Sequence, residues 1–227
     1  MVLHSSRNSK QKLSFISCKG YWTNCNVQHR PKEFVESVIL TNEGHRRVLK
    51  TWLPIKSEWR LLFRASRDGF AALAFHFKCD NKGPTITVVK SGRNIFGGFT
   101  EKAWTSRVEW VPCLHAFLFS LVNPSGLGPT KLSLITGNGG NGMYCHSDCG
   151  PVFGTGGFGL WYDLCISDNA NTSPSNSITR CLDSASDNYQ ASETNSSSTA
   201  KILHDFSKRY NIKVFNASLG VLGIQEQ

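Results

Sequence analysis

Apolar residues recur at helical spacings from Phe34 onward, through Val38, Ile39, Leu40, Val48, Leu49, Trp52 and Leu53, and Thr41-Asn42-Glu43 has the make-up of a turn and helix start. Pro54 ends that helix, because the residue before proline avoids helical backbone. Trp59 to Phe63 then reads as a short strand, and Ser66-Arg67-Asp68-Gly69 as a turn that also supplies helix caps. Phe70, Leu73, Ala74 and Phe77 fall on one helical face, which predicts a helix over 70–79 with that face buried; a strand competes. Thr85 to Lys90 and Ile95 to Thr100, joined across Gly92, predict a hairpin, and Gly97-Gly98 inside its second strand a bulge or a close backbone approach.

After a looser stretch containing Trp104, Trp110 and Pro112, strands are expected at 116–122, 131–136, 143–146 and 163–167, separated by Gly/Asn/Pro clusters. The Gly-rich runs at 137–142 and 150–159 read as turns. Residues 170–200 are rich in Ser, Asn and Thr and predict a long loop. A short helix over 199–210 and a closing strand over 211–222 complete the pattern. The fold class this implies is mainly β (α+β): two packed antiparallel sheets forming a β-sandwich flanked by a few helices.

Composition narrows this further. The 227 residues are 40% apolar and only 18% charged, which suits a core of strands and excludes a coiled coil or a disordered chain. No apolar run approaches the length that crosses a bilayer. The net charge is +9, and residues 1–56 carry ten Lys or Arg against three acids, so the excess sits near the start. Residues 1–33 are expected to be a basic, flexible tail, with resemblance in composition to a mitochondrial transit peptide; the compartment expected is cytoplasmic, with mitochondrial as the alternative. Such charge can meet nucleic acid, an anionic surface or an acidic partner, yet no reading motif for nucleic acid accompanies it, and nucleic acid is not the expected partner.

Eight cysteines, at 18, 25, 79, 113, 145, 149, 165 and 181, would suggest a disulfide framework in a small secreted protein. In a chain of this size without a secretion signal they are expected to be mostly free thiols. Cys145-His146-Ser147-Asp148-Cys149 gathers thiol, imidazole and carboxylate, but a second pair of zinc ligands at matching spacing is missing. A nucleophile and base that are neighbours on a strand would also point to opposite faces. His76 reads as a packed or capping histidine rather than a base. No phosphate loop, hydrolase elbow or metalloprotease motif occurs. Neither catalytic residues, nor a metal site, nor a cofactor is therefore assigned.

The ordered succession SVILT at 37–41, LKTWLP at 49–54, WRLLFRASRDGFAALAFHFKCDNKGPTITVVK at 59–90, IFGGFT at 95–100, AFLFSL at 116–121, YCHSDCGPVFG at 144–154 and DLCISDNANT at 163–172 resembles the TLDc domain of the oxidation-resistance family. The resemblance covers roughly residues 37–217, and the domain is placed at 34–222. It implies a two-sheet β-sandwich and a noncatalytic, intracellular interaction module in the oxidative stress response or in binding the vacuolar-type proton ATPase. The partner expected is a peripheral-sector subunit of that pump. The alternatives are a cysteine-dependent antioxidant enzyme and a binder of acidic partners or nucleic acid through the basic tail. A monomer is expected. Because rigid strands hold connecting loops in place, Phe96, Gly97, Gly98, Phe99, Pro151, Phe153 and Phe158 are expected to stand on exposed loops as partner contacts.

Overall fold

The computed structural model describes residues 17–18, 21–22, 34–54, 58–123, 126–134, 141–154, 162–172, 189–191 and 218–224. The chain divides into two compact units, residues 1–32 and 33–227. In the first, β1 (Ser17–Cys18) pairs antiparallel with β2 (Tyr21–Trp22).

The second unit opens with helix α1 (Glu43–Trp52), whose first turn is closed by the Asn42 side chain accepting from the His45 amide at 3.2 Å. Glu43 at its start and Lys50 in its last turn complement the helix dipole. The helical pattern expected from Phe34 begins only here. Phe34 has φ 57° and residues 34–40 form turns and bends, with Ser37 Oγ accepting from the Leu40 amide at 3.1 Å. Phe34, Ile39 and Leu40 are buried by that irregular path, while Val38 is 51% exposed.

Next come β3 (Trp59–Arg64), the single-turn helix α2 (Ala65–Asp68), helix α3 (Ala72–Cys79), β4 (Thr85–Ser91) and β5 (Asn94–Thr100). They are followed by β6 (Glu109–Pro112), β7 (Phe117–Val122), β8 (Thr130–Leu134), β9 (Asn141–Cys145) and β10 (Cys149–Phe153). β11 (Leu164–Ser167), β12 (Tyr189–Ala191) and β13 (Ser218–Ile224) complete the set. β6 and β10 lie where looser chain or turns were expected. Glycine and proline hide β10 from a propensity reading, yet Val152 and Phe153 pair in register with Tyr144 and Met143. β12 breaks the long loop expected over 170–200 by pairing with β8. The helix expected at 199–210 and the first part of the closing strand lie outside the described residues.

Among the described residues all ladders are antiparallel, in a seven-stranded sheet of order β12-β8-β7-β5-β4-β13-β3 and a four-stranded sheet of order β11-β10-β9-β6. The larger sheet is buried on both faces, and strand alternation sorts its side chains. Val89, Phe96, Leu118, Leu132 and Val221 enter one core with Phe75 of α3 and with Met143, Phe153, Leu164 and Ile166 of the smaller sheet. Ile86, Val88, Phe99, Phe117, Phe119 and Leu222 enter the other, against Leu49 and Leu53 of the α1 segment and Phe34. This is a β-sandwich with flanking helices.

The two glycines of β5 are explained by close approach. A Cβ on Gly97 would lie 1.9 Å from the Thr87 carbonyl oxygen, and one on Gly98 would lie 2.7 Å from the Phe153 ring. Gly98 thus lets an aromatic ring of one sheet rest on the backbone of the other. The ladder irregularity is displaced from this pair, to Ile95/Phe96 on the β7 side.

Two expectations are corrected. Phe96, Gly97, Gly98, Phe99, Pro151 and Phe153 do not stand on exposed loops; all are buried in β5 or β10, and Phe158 lies outside the described residues. Aromatic residues bracketing glycines resemble a contact loop in sequence, but here the glycines admit rings into the core. Helix α3 forms as expected, yet with its faces exchanged. Ala72, Phe75, His76 and Cys79 are buried, whereas Leu73 and Phe77 are 78% and 83% exposed, and Phe70 and Ala74 pack partly buried at the margin. The helix carries apolar residues all round, so periodicity alone could not choose its inner face.

Candidate functional site

Helix α3 is held against the four-stranded sheet by polar pins at both ends. At its start, the Ala72 amide donates to Asp168 Oδ1 at 2.7 Å, so the carboxylate closing β11 satisfies an open amide of the first turn. At its end, His76, only 4% exposed, places Nε2 2.9 Å from both the His146 and the Cys149 carbonyl oxygens, and Nδ1 2.7 Å from Asp80 Oδ1. Carbonyls only accept, so Nε2 carries a proton and donates, and Nδ1 sits within hydrogen-bonding distance of the Asp80 carboxylate. Ser106 Oγ donates to Asp80 Oδ2 at 2.5 Å, tying in the segment before β6. His76 is therefore a packing residue, as its sequence context suggested. Beneath it, Phe75 stacks edge-on against Phe63 and Trp104, at 5.9 and 5.5 Å between centroids, and Trp104 Nε1 donates to Thr85 Oγ1 at 2.8 Å.

The same contacts settle what the Cys145–Cys149 segment does. Cys145 points into the core at 1% exposure, Ser147 and Asp148 are exposed in the hairpin turn, and the backbone carbonyls of His146 and Cys149 face His76. Within the turn Ser147 Oγ donates to Asp148 Oδ1 at 3.0 Å, so the segment braces its own turn and the His76 pin. Among the described residues, no three His, Cys, Asp or Glu side chains are grouped to hold a metal.

The thiols differ in character. Burial pushes Cys79 and Cys145 up, and Cys113 up to about 12, so these three are held as neutral core groups. Cys149 goes the other way, because its thiol is hydrogen-bonded by Cys165 and lies near His76, which together outweigh its partial burial and the charges of Asp148 and Asp168. Both Cys149 and Cys165 are partly exposed. Nearby, Trp110, Tyr144 and Tyr162 form an aromatic row, with centroids 4.2 Å apart for Trp110 and Tyr144 and 5.5 Å for Tyr144 and Tyr162. Burial lifts Tyr162 to about 12.

A second feature is an open cleft of about 180 Å³ between the end of α1 and strands β7 and β8, lined in part by Trp52, Leu114, Phe117 and Lys131. Lys131 Nζ lies 4.4 Å from the Phe117 ring centroid and 3.4 Å from the Trp52 carbonyl oxygen, and burial holds its ammonium below the usual lysine range. Ring and carbonyl already occupy the ammonium, so the cleft offers little reach to a ligand.

Sequence reading missed the outward Leu73/Phe77 pair and the Cys149–Cys165 contact. The first was concealed by an all-round apolar helix, and the second required the register of β10 on β11. No helix among the described residues is long and apolar enough to cross a membrane.

Comparison with known proteins agrees with this architecture. A family model described as the TLDc domain matches residues 34–209. Among curated proteins, the chain is similar to MTOR-associated protein MEAK7 of Danio rerio, 30% identical over 115 residues, covering 46% of this chain and 24% of the relative. It is likewise similar to that protein of Gallus gallus, 34% identical over 121 residues, covering 48% and 24%. The protein of Homo sapiens is 26% identical over 174 residues, covering 67% of this chain and 36% of the relative. The chain thus matches only about a quarter to a third of the length of these relatives. The family match covers the four-stranded sheet, every strand of the seven-stranded sheet but β13, α3 and the Asp168 and His76 pins, and the chain belongs to the TLDc domain family.

Proposed function

We propose that this chain is a noncatalytic, cytoplasmic TLDc interaction module that docks a protein partner on the outward face of α3. The observation that carries this reading is the exposure of Leu73 and Phe77, one helical turn apart, on a short helix fixed at both ends. A rigid apolar anchor of this kind is what interface hot spots are made of, since little ordering entropy is lost when it is covered. Lys78 Nζ lies 5.7 Å from the Phe77 ring centroid, adding a cation at the rim for an acidic margin on the partner.

The partner proposed is a peripheral-sector subunit of the vacuolar-type proton ATPase, as the family resemblance implies, with protection against oxidative stress as the process served. The relatives named for association with MTOR support a second reading, in which the same face docks a component of that assembly. The full chain should bind purified pump peripheral sector in a surface-binding titration. Phe77→Ala and Leu73→Ala should each weaken binding about tenfold, the loss of roughly 1.4 kcal/mol expected on truncating an interface anchor. No binding to the pump, with binding to MTOR assemblies lost in the same variants, would move the reading to the second partner. Equal binding by wild type and both variants would reject the surface.

A further inference from the structure

The register of β10 on β11 joins two cysteines that are far apart in sequence. Cys149 pairs with Ser167 and Val152 with Cys165, so the β10 side carries one extra residue across Gly150-Pro151. Residues opposite one another share a face, as do residues two apart, so Cys149, Ser167 and Cys165 all lie on the face turned away from the core that Leu164 and Ile166 enter. Cys149 and Cys165 are therefore diagonal neighbours across the bulge, and the Cys165 thiol is near enough to hold the Cys149 thiol below its ordinary value. Both are partly exposed, unlike Cys79, Cys113 and Cys145. Ser167 Oγ, opposite Cys149, is buried with no hydrogen-bond partner among the described residues, and so has a donor to spare.

We infer that Cys149 and Cys165 form a reversible thiol–disulfide site whose oxidant is a peroxide. Their contact also divides the roles. The Cys165 thiol favours the thiolate at Cys149, so Cys149 attacks. Its sulfur takes one peroxide oxygen: the S–O bond forms, the O–O bond breaks, and the other oxygen leaves as hydroxide and is protonated to water. Cys149 becomes a sulfenic acid, and the Ser167 hydroxyl is placed to donate to its oxygen. Cys165 then attacks that sulfur; the S–S bond forms, the S–O bond breaks, and the departing hydroxide takes the Cys165 proton. In sum, two thiols give up two electrons and two protons, and one peroxide becomes two waters. An external dithiol restores the reduced pair by exchange.

The site is tested on the full chain with hydrogen peroxide, followed by alkylation and chymotryptic mapping, because Phe153, Phe158, Trp161 and Tyr162 provide cuts between the two cysteines. The expected product is the Cys149 peptide linked to the Cys165 peptide, separated again by dithiothreitol. Cys165→Ser should instead accumulate a sulfenic acid at Cys149 that dimedone traps, and Cys149→Ser should leave Cys165 untrapped. If either variant fails to fold, competitive alkylation of the wild type decides: Cys149 should be labelled at least about tenfold faster than Cys145, as a thiolate is against a buried thiol. A link from Cys149 to another cysteine, independent oxidation of Cys149 and Cys165 without a link, or equal labelling rates would overturn the assignment.

Discussion

Phe75 and Phe77 are the same side chain two positions apart on one helix, and burial alone separates their roles. Phe75 is 1% exposed and touches Phe63, His76 and Trp104, so truncation would empty an aromatic site in the core between the sheets. Phe75→Ala is expected to lower stability by about 3–5 kcal/mol in urea denaturation. Phe77→Ala is expected to stay within about 0.5 kcal/mol of wild type, the usual range for an exposed position. A large loss at Phe77 would show that its side chain is covered within the chain and not available to a partner. His76 has the residue-level role that sequence alone could propose but not prove: between Phe75 and Phe77 it resembles many packed histidines, and only its three partners, Asp80 and the His146 and Cys149 carbonyls, define it.

The elements were unevenly legible for physical reasons. Asn42 with Glu43, Pro54, and the β4–β5 hairpin across Gly92 were readable because capping, proline geometry and turn chemistry are local. The inner face of α3, the strand character of Cys149–Phe153 and the pairing of Tyr189–Ala191 with β8 are set by contacts far away in the chain, which no window of sequence contains. The candidate surfaces suffered most. The Gly97-Gly98 and Pro151-Phe153 segments were expected as exposed partner contacts, yet they are the strands through which the two sheets touch. One local device does carry a pH signature. Asp68, at the end of α2, accepts from Arg67 Nε and Nη2 and from the Arg64 amide, all at 2.8 Å, and the hydrogen bond from Arg67 holds its carboxyl below the ordinary value despite burial. A carboxyl protonated less readily when folded adds stability above its unfolded value, about 3.9, and that stability fades as pH falls through the lower folded value. Asp68→Asn should therefore lower stability near neutrality and flatten the acid decline below about pH 4 in urea melts. An unchanged acid slope would mean that Asp68 is not held this way.

At the scale of the molecule, the seven-stranded sheet is committed on both faces, to the smaller sheet and to α1, and its buried aromatic residues serve the interior. A domain built this way presents function on what is pinned to its outside. Asp168, His76 and Asp80 hold α3 there, and all three belong to segments that carry the family resemblance. The motifs that identify the family are thus, at these positions, the means by which one helix is displayed. The measurement that tests this most directly is amide hydrogen exchange of the full chain, alone and with saturating pump peripheral sector. Added protection is expected across residues 72–79 and the preceding turn, with β4 and β5 unchanged because their amides are already held in ladders. Protection elsewhere on a bound complex, with residues 72–79 exchanging as in the free chain, would contradict it.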